Sequence, residues 1–148
     1  MKVLFTNGTT KFIEPLYWLN SLKDHKVLQN LEVQCYDYNN ETPELNVVKF
    51  ITDLDYNNYD LIISHAGAGS IYSVLELRRP LIVIPDMIRI DKHQTEMARF
   101  VTESNYAEVA YNCYDLKLLL NKFMNTGFNN NLYYNKTSFE ISEFISLL

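Results

Sequence analysis

Two glycines and two polar side chains lie together in His65-Ala66-Gly67-Ala68-Gly69-Ser70. Residues of these types at this spacing suit the binding of an anion. Glycine lets the backbone approach a ligand with no Cβ in the way. A helix starting here would offer first-turn N–H groups without intrahelical partners, and the positive end of its dipole, to a phosphate. A histidine can accept a proton near neutral pH, which makes His65 the catalytic candidate, as a proton acceptor. Its plain alternative is a histidine that orients the turn. A Gly-x-Gly also occurs in ordinary strand–helix turns, so the run must be judged by the elements around it.

Those elements can be read from apolar spacing. Leu61 to Ile63 is a short β-branched run, read as a buried strand. Ser70 is the expected N-cap of a helix running to about Leu77, broken at Pro80. The loop carrying His65 and Ser70 then sits at the carboxyl end of a strand, where open α/β sheets bind ligands. A similar unit opens the chain. Val3 to Phe5 is a strand and Asn7-Gly8-Thr9-Thr10 its turn. Phe12, Leu16 and Leu19 follow at helical spacing, with Pro15 tolerated in the first turn.

Further along, Leu31, Val33 and Cys35 alternate as a second strand and Asn39 to Pro43 form a loop. Val47 to Phe50 is a third strand, with a helical turn through Leu54. Leu81 to Ile84 reads as a strand buried on both faces. The loop from Pro85 to Lys92 leads to an amphipathic helix over His93 to Ser104. In the run Asp91-Lys92-His93-Gln94, Gln94 offers both donor and acceptor to sugar hydroxyls, and His93 can reach a hydroxyl or phosphate. The plain alternative is a helix start capped by Asp91. Ala107, Val109 and Tyr111 alternate as a last strand, and Leu116, Leu119, Leu120 and Phe123 mark another helix. A turn is expected over Gly127 to Asn131. Thr137 and Glu140 have capping-box spacing, and Ile141, Phe144, Ile145 and Leu148 form one apolar stripe, so residues 137–148 are an expected amphipathic helix. Strand and helix alternate roughly six times, which predicts an α/β, Rossmann-like parallel sheet with helices on both faces.

Composition narrows the class. The chain has 148 residues, which suits a single domain over 1–148. Hydrophobic residues make up 47%, too many for a disordered chain. A net charge of −5 argues against nucleic acid as a partner, because phosphate backbones need a basic face. No apolar run approaches the roughly 20 residues that span a bilayer. The apolar start is too short for a signal peptide. Cys35 and Cys113 have no metal-site spacing and are expected as small buried hydrophobes in a reducing, cytoplasmic setting.

The run His65 to Ser70, with Arg79-Pro80-Leu-Ile-Val83 and Asp91-Lys-His-Gln94 downstream, resembles the donor-binding half of the MurG-like glycosyltransferases of family 28. Within these it is most similar to the small soluble subunit of the two-part UDP-GlcNAc transferase of dolichol-linked oligosaccharide synthesis. Two-part transferases of bacterial capsules and exopolysaccharides are also similar. The resemblance runs from the first strand to about Tyr106. It implies one half of a GT-B fold. It implies that Phe50 and Ile51 meet uracil and that Leu54 lines the pocket, although from sequence alone Phe50 reads as core. It implies that Gly8, Thr9 and Thr10 face the donor's phosphates and sugar, that Gly67, Ala68, Gly69 and Ser70 hold the diphosphate, and that His93 and Gln94 meet the sugar.

One position departs from the family. Three residues beyond the loop serine, relatives often carry an acidic residue that reaches the ribose; here it is Ser73, with Glu76 almost a turn further on. The function implied is transfer of a sugar, GlcNAc first among them, from a UDP-sugar donor. The acceptor would be a lipid-linked sugar held by a membrane-anchored partner subunit that recruits the chain to the cytosolic face. The general base of such enzymes lies in the other lobe. The loop can stabilise a leaving diphosphate with backbone N–H groups, so no metal and no cofactor are expected. The competing reading is a non-catalytic module binding a nucleotide or phosphorylated ligand on the same kind of sheet.

Overall fold

The computed structural model describes residues 1–88 and 92–133. Six strands form one sheet: β1 (Val3–Thr6), β2 (Leu31–Gln34), β3 (Val47–Val48), β4 (Leu61–His65), β5 (Leu81–Ile84) and β6 (Glu108–Val109). Four helices connect or follow them: α1 (Glu14–Ser21), α2 (Ala68–Glu76), α3 (His93–Glu103) and α4 (Cys113–Thr126). The strand order is β3-β2-β1-β4-β5-β6 and every pairing is parallel. The expected Rossmann-like architecture is therefore observed. β1 and β4 lie side by side in register, Val3 opposite Leu61 and Thr6 opposite Ser64. The chain winds outward from this pair in opposite directions, which makes it the topological switch point of the sheet.

Period-two alternation sorts the core into two layers. Val3, Phe5, Leu61, Ile63, Ile82 and Ile84 pack with Leu16 and Leu19 of α1 and Leu116 and Leu120 of α4. Leu4, Ile62, Leu81 and Val83 point the other way, onto Ile71 and Val74 of α2 and Met97 and Val101 of α3. β1, β4 and β5 are buried along their whole length, so they read as continuous apolar runs rather than as alternating ones.

Several boundaries differ from expectation. β3 ends at Val48, and Phe50 is 74% exposed: the core alternative for Phe50 is excluded. The helical turn expected through Leu54 lies later, as a 3₁₀ turn over Tyr56–Asn58 whose Asp55 side chain accepts the Asn57 N–H at 2.9 Å. His65 is the last residue of β4 rather than a loop residue. The N-cap of α2 is Gly67 and not Ser70, because the Ile71 N–H already bonds Gly67 O at 3.0 Å; Gly69 and Ser70 are thus in the first helical turn. Cys35 is buried, as expected, but Cys113 is only partly so, its Sγ 3.4 Å from Ser21 Oγ. The capping role offered for Asp91 and the amphipathic helix over 137–148 lie outside the described residues. Among the described residues no helix is long and apolar enough to cross a membrane.

Candidate functional site

The turns after β1 and β4 meet at the switch point, and both contain glycines. Gly8 has φ +59°, a left-handed conformation that only glycine adopts without cost. His65 lies between the two turns, 5% exposed, with Nε2 3.2 Å from Thr10 Oγ1. A methyl on Gly67 would lie 2.2 Å from that same Nε2, and one on Gly8 would lie 3.4 Å from His65 Cε1. Gly67 is therefore required by close approach to the histidine, and its own φ is ordinary. Gly69 differs: a methyl there would meet nothing within 4 Å.

Beside these turns opens a cleft of about 280 Å³. It is lined by Gly8 and Thr9 of the first turn, Ser70 of α2, and Phe50, Ile51 and Leu54 of the segment after β3. Six of the expected site residues are thus brought to one cavity although they come from three separate stretches of sequence. Thr10 and His65 adjoin it through their hydrogen bond. Gly67, Ala68 and Gly69 form the N-cap and first turn of α2, whose start has no side-chain cap. The first-turn N–H groups and the helix dipole are thus left to a ligand or solvent. Among the described residues no lysine or arginine lines the cleft, and the start of α2 offers backbone N–H groups to a phosphate.

His93 and Gln94 are not among the residues lining this cleft. They start α3 beyond the carboxyl end of β5, the strand next to β4. His93 is exposed. Gln94 is 4% exposed, and its Oε1 accepts the Asp86 N–H at 3.0 Å, which ties the loop after β5 to the helix. Ser73 Oγ donates to Gly69 O at 2.9 Å, inside α2.

Sequence reasoning missed five lining residues: Thr6, Gln34, Tyr36, Asp53 and Tyr56. Gln34 ends β2 as a buried polar residue, and a glutamine closing an apolar strand at the ligand edge is the signal that could have found it. Tyr56 hydrogen-bonds Ser70, and burial pushes its phenol above the usual tyrosine value despite that bond. The expectation that no metal takes part overlooks an Asp-x-Asp spacing at Asp53-Leu54-Asp55. The fold separates its carboxylates: Asp53 lines the cleft, whereas Asp55 caps the 3₁₀ turn. The described residues contain no group of three or more acidic, His or Cys side chains placed to hold a metal ion.

The arrangement can hold an extended anionic ligand with a flat apolar end against Phe50 and a charged end at the α2 start. Known proteins agree with this geometry. The model of the glycosyltransferase family 28 C-terminal domain matches residues 23–146. The UDP-N-acetylglucosamine transferase subunit ALG13 of Candida albicans is 38% identical over 92 residues, which is 62% of this chain and 28% of that protein. A relative in Phocaeicola vulgatus is 38% identical over 88 residues, 58% of this chain and 23% of that protein; it is a UDP-N-acetylglucosamine--N-acetylmuramyl-(pentapeptide) pyrophosphoryl-undecaprenol N-acetylglucosamine transferase. The chain thus spans under a third of the length of these two relatives. MurG of Acinetobacter baumannii superposes with a TM-score of 0.66 at 25% identity, over 84% of this chain and 41% of MurG, so the fold corresponds to one half of a GT-B enzyme. A solution structure of ALG13 shares the fold, with a TM-score of 0.59 at 21% identity over 94% of this chain and 92% of that one. On the breadth of the family match, the chain belongs to glycosyltransferase family 28, in its C-terminal domain.

Proposed function

We propose that this chain is the donor-binding, catalytic half of a UDP-sugar-dependent glycosyltransferase, moving GlcNAc from UDP-GlcNAc to a lipid-linked sugar. The observation that carries the reading is the cleft at the switch point, which gathers an exposed aromatic, the first glycine turn and Ser70 from the first turn of an uncapped helix. Phe50 and Ile51 hold the uracil. Gly8, Thr9 and the first turn of α2 hold the diphosphate. In transfer, negative charge grows on the leaving diphosphate as the sugar bond breaks, and fixed N–H dipoles there stabilise the transition state without reorganising. A metal has no step in this scheme. The names of the relatives supply the sugar, since those described above are N-acetylglucosamine transferases acting from UDP.

In this reading His65 is a positioning residue. It is buried, and its imidazole touches Thr10 and both glycine turns, so it sets their spacing. The acceptor and its proton acceptor belong to a membrane-anchored partner subunit, which brings the chain to the cytosolic face. Gln94 and His93, on the neighbouring strand–helix connection, are assigned to the sugar. Titration calorimetry with UDP, GDP and ADP tests the base assignment; UDP is expected to bind at least about tenfold tighter, a difference of about 1.4 kcal/mol. Equal affinities would remove uracil recognition. Full transfer by the isolated chain to a lipid-linked acceptor would remove the partner.

A further inference from the structure

We propose that Gln34 is a positioning residue that fixes the span between two segments that line the cleft, the Gly8 turn and the Phe50 segment, and so makes the ends of one ligand bind as a unit. The proposal rests on the UDP-sugar reading above. Gln34 closes β2, is 6% exposed and lines the cleft. Its carboxamide uses both donors on backbone carbonyls of two separate segments: Gly8 O at 3.1 Å and Lys49 O at 2.8 Å. Gly8 is the left-handed corner of the first glycine turn, and Lys49 immediately precedes Phe50 and Ile51. The acceptor end is occupied as well. Gln34 Oε1 accepts the Thr6 hydroxyl, and Thr6 Oγ1 in turn accepts the Gly8 N–H at 3.1 Å.

The result is a closed circuit in which Gly8 is held through both its N–H and its C=O, and the Phe50 segment is held to the same carboxamide. β3 is only two residues long, so the segment after it has little ladder to fix it. A planar carboxamide is the one uncharged side chain besides asparagine with two donors and an acceptor on one rigid group. A ligand that touches both segments gains from their being held at a fixed distance, because its second contact is then intramolecular. A ligand that touches one segment gains little.

The test compares UDP with uridine, by calorimetry for UDP and chemical-shift titration for uridine, on the full chain. In Gln34→Met, UDP affinity should fall by roughly tenfold or more while uridine affinity changes less than about threefold. Thr6→Val keeps both Gln34 donors but cuts the link to the Gly8 N–H. It should show the same pattern with a smaller UDP loss, and it decides the matter where Gln34→Met does not fold. Equal weakening of UDP and uridine, or unchanged UDP affinity in the folded variants, overturns the proposal. Failure of the unaltered chain to bind UDP overturns the functional reading and the clamp with it. UDP affinity left unchanged by both substitutions overturns the clamp alone.

Discussion

The two glycines of the run after β4 are predicted to respond oppositely to the same substitution. Gly67→Ala places a methyl 2.2 Å from His65 Nε2, 2.8 Å from Cε1 and 3.1 Å from Cδ2. Three ring atoms inside contact distance cannot be relieved by a small rotation. The ring is buried at the end of a central strand, so the whole imidazole must shift. Overpacking of this kind costs about 1–3 kcal/mol. Moving the ring also breaks its bond to Thr10, worth about 0.5–1.5 kcal/mol. The sum, roughly 1.5–4.5 kcal/mol, lowers the melting temperature of a chain this size by roughly 3–18 °C. Gly69→Ala meets no atom within 4 Å and stands in a helix, where alanine is favoured over glycine; it should be neutral or stabilise by up to about 1 kcal/mol.

Urea denaturation of both variants, checked by calorimetry, measures the contrast. A double-mutant cycle identifies its cause. His65→Ala removes the ring, so in that background Gly67→Ala should cost less than about 0.5 kcal/mol. If Gly67→Ala is as harmful without the ring as with it, close approach is not why glycine stands at 67. If Gly69→Ala destabilises as much as Gly67→Ala, the open space at Gly69 is wrong.

Gly69→Asp should leave stability within about 0.5 kcal/mol, since the side chain enters open space, but should abolish detectable UDP binding by placing a carboxylate at the helix start; calorimetry on the folded variant checks it. Gln94→Ala should weaken UDP-GlcNAc by roughly three- to tenfold with UDP almost unchanged, and should also lower stability by about 1–3 kcal/mol because the Asp86 N–H loses its acceptor. Equal effects on both ligands would take Gln94 out of the sugar site. The pair Tyr59–Glu32 predicts a pH dependence. Tyr59 Oη donates to Glu32 at 2.6 Å, and this bond, with Lys2 beside it, holds the Glu32 carboxyl below its ordinary value. A depressed carboxyl stabilises the fold above the ordinary glutamate range and loses that contribution as pH falls through its folded value. Burial, with Glu32 adding to it, raises the Tyr59 phenol, whose contribution is complete below about pH 10 and is lost at more alkaline pH. Glu32→Gln should therefore cost under about 1 kcal/mol at pH 7, the Glu32 side chain being 41% exposed, and progressively less as pH falls through the folded value of the carboxyl; a cost that does not shrink on acidification would refute the linkage.

The fold was legible because its central strands are buried on both faces. Leu61 to Ile63 and Leu81 to Ile84 allow no other reading than interior strands, and the helices between them carry stripes at the expected spacing. Boundaries were less legible where the deciding interaction is backbone. Ser70 has the side chain of an N-cap, yet the chain turns at Gly67, because His65 leaves no room there for a Cβ and the Gly67 carbonyl starts the helix ladder. A side-chain preference of about 1 kcal/mol at a cap loses to the larger steric requirement at Gly67.

The candidate site was legible where a residue type announces its chemistry, and opaque where a plain residue works through geometry. Glycine turns and the Asp91-to-Gln94 run stand out in the sequence. Phe50 did not, because an aromatic after a short apolar run is usually core; only its 74% exposure turns it toward the cleft. Gln34 and Thr6 carry no motif at all. Their importance lies in their partners: Gln34 donates to carbonyls 26 positions earlier and 15 later in the chain, and Thr6 joins Gln34 to the Gly8 N–H. Such long-range partners are fixed by strand order, with β2 between β1 and β3, and not by local spacing. The same rule explains the Asp-x-Asp pair in the opposite sense. Asp53-Leu54-Asp55 has the local spacing of a metal pair, but Asp53 takes a left-handed backbone, and the next turn draws Asp55 into capping Asn57. A motif becomes a site only when the backbone delivers its side chains to one cavity. Here the backbone delivers Gly8, Thr9, Phe50, Ile51, Leu54 and Ser70 and withholds Asp55.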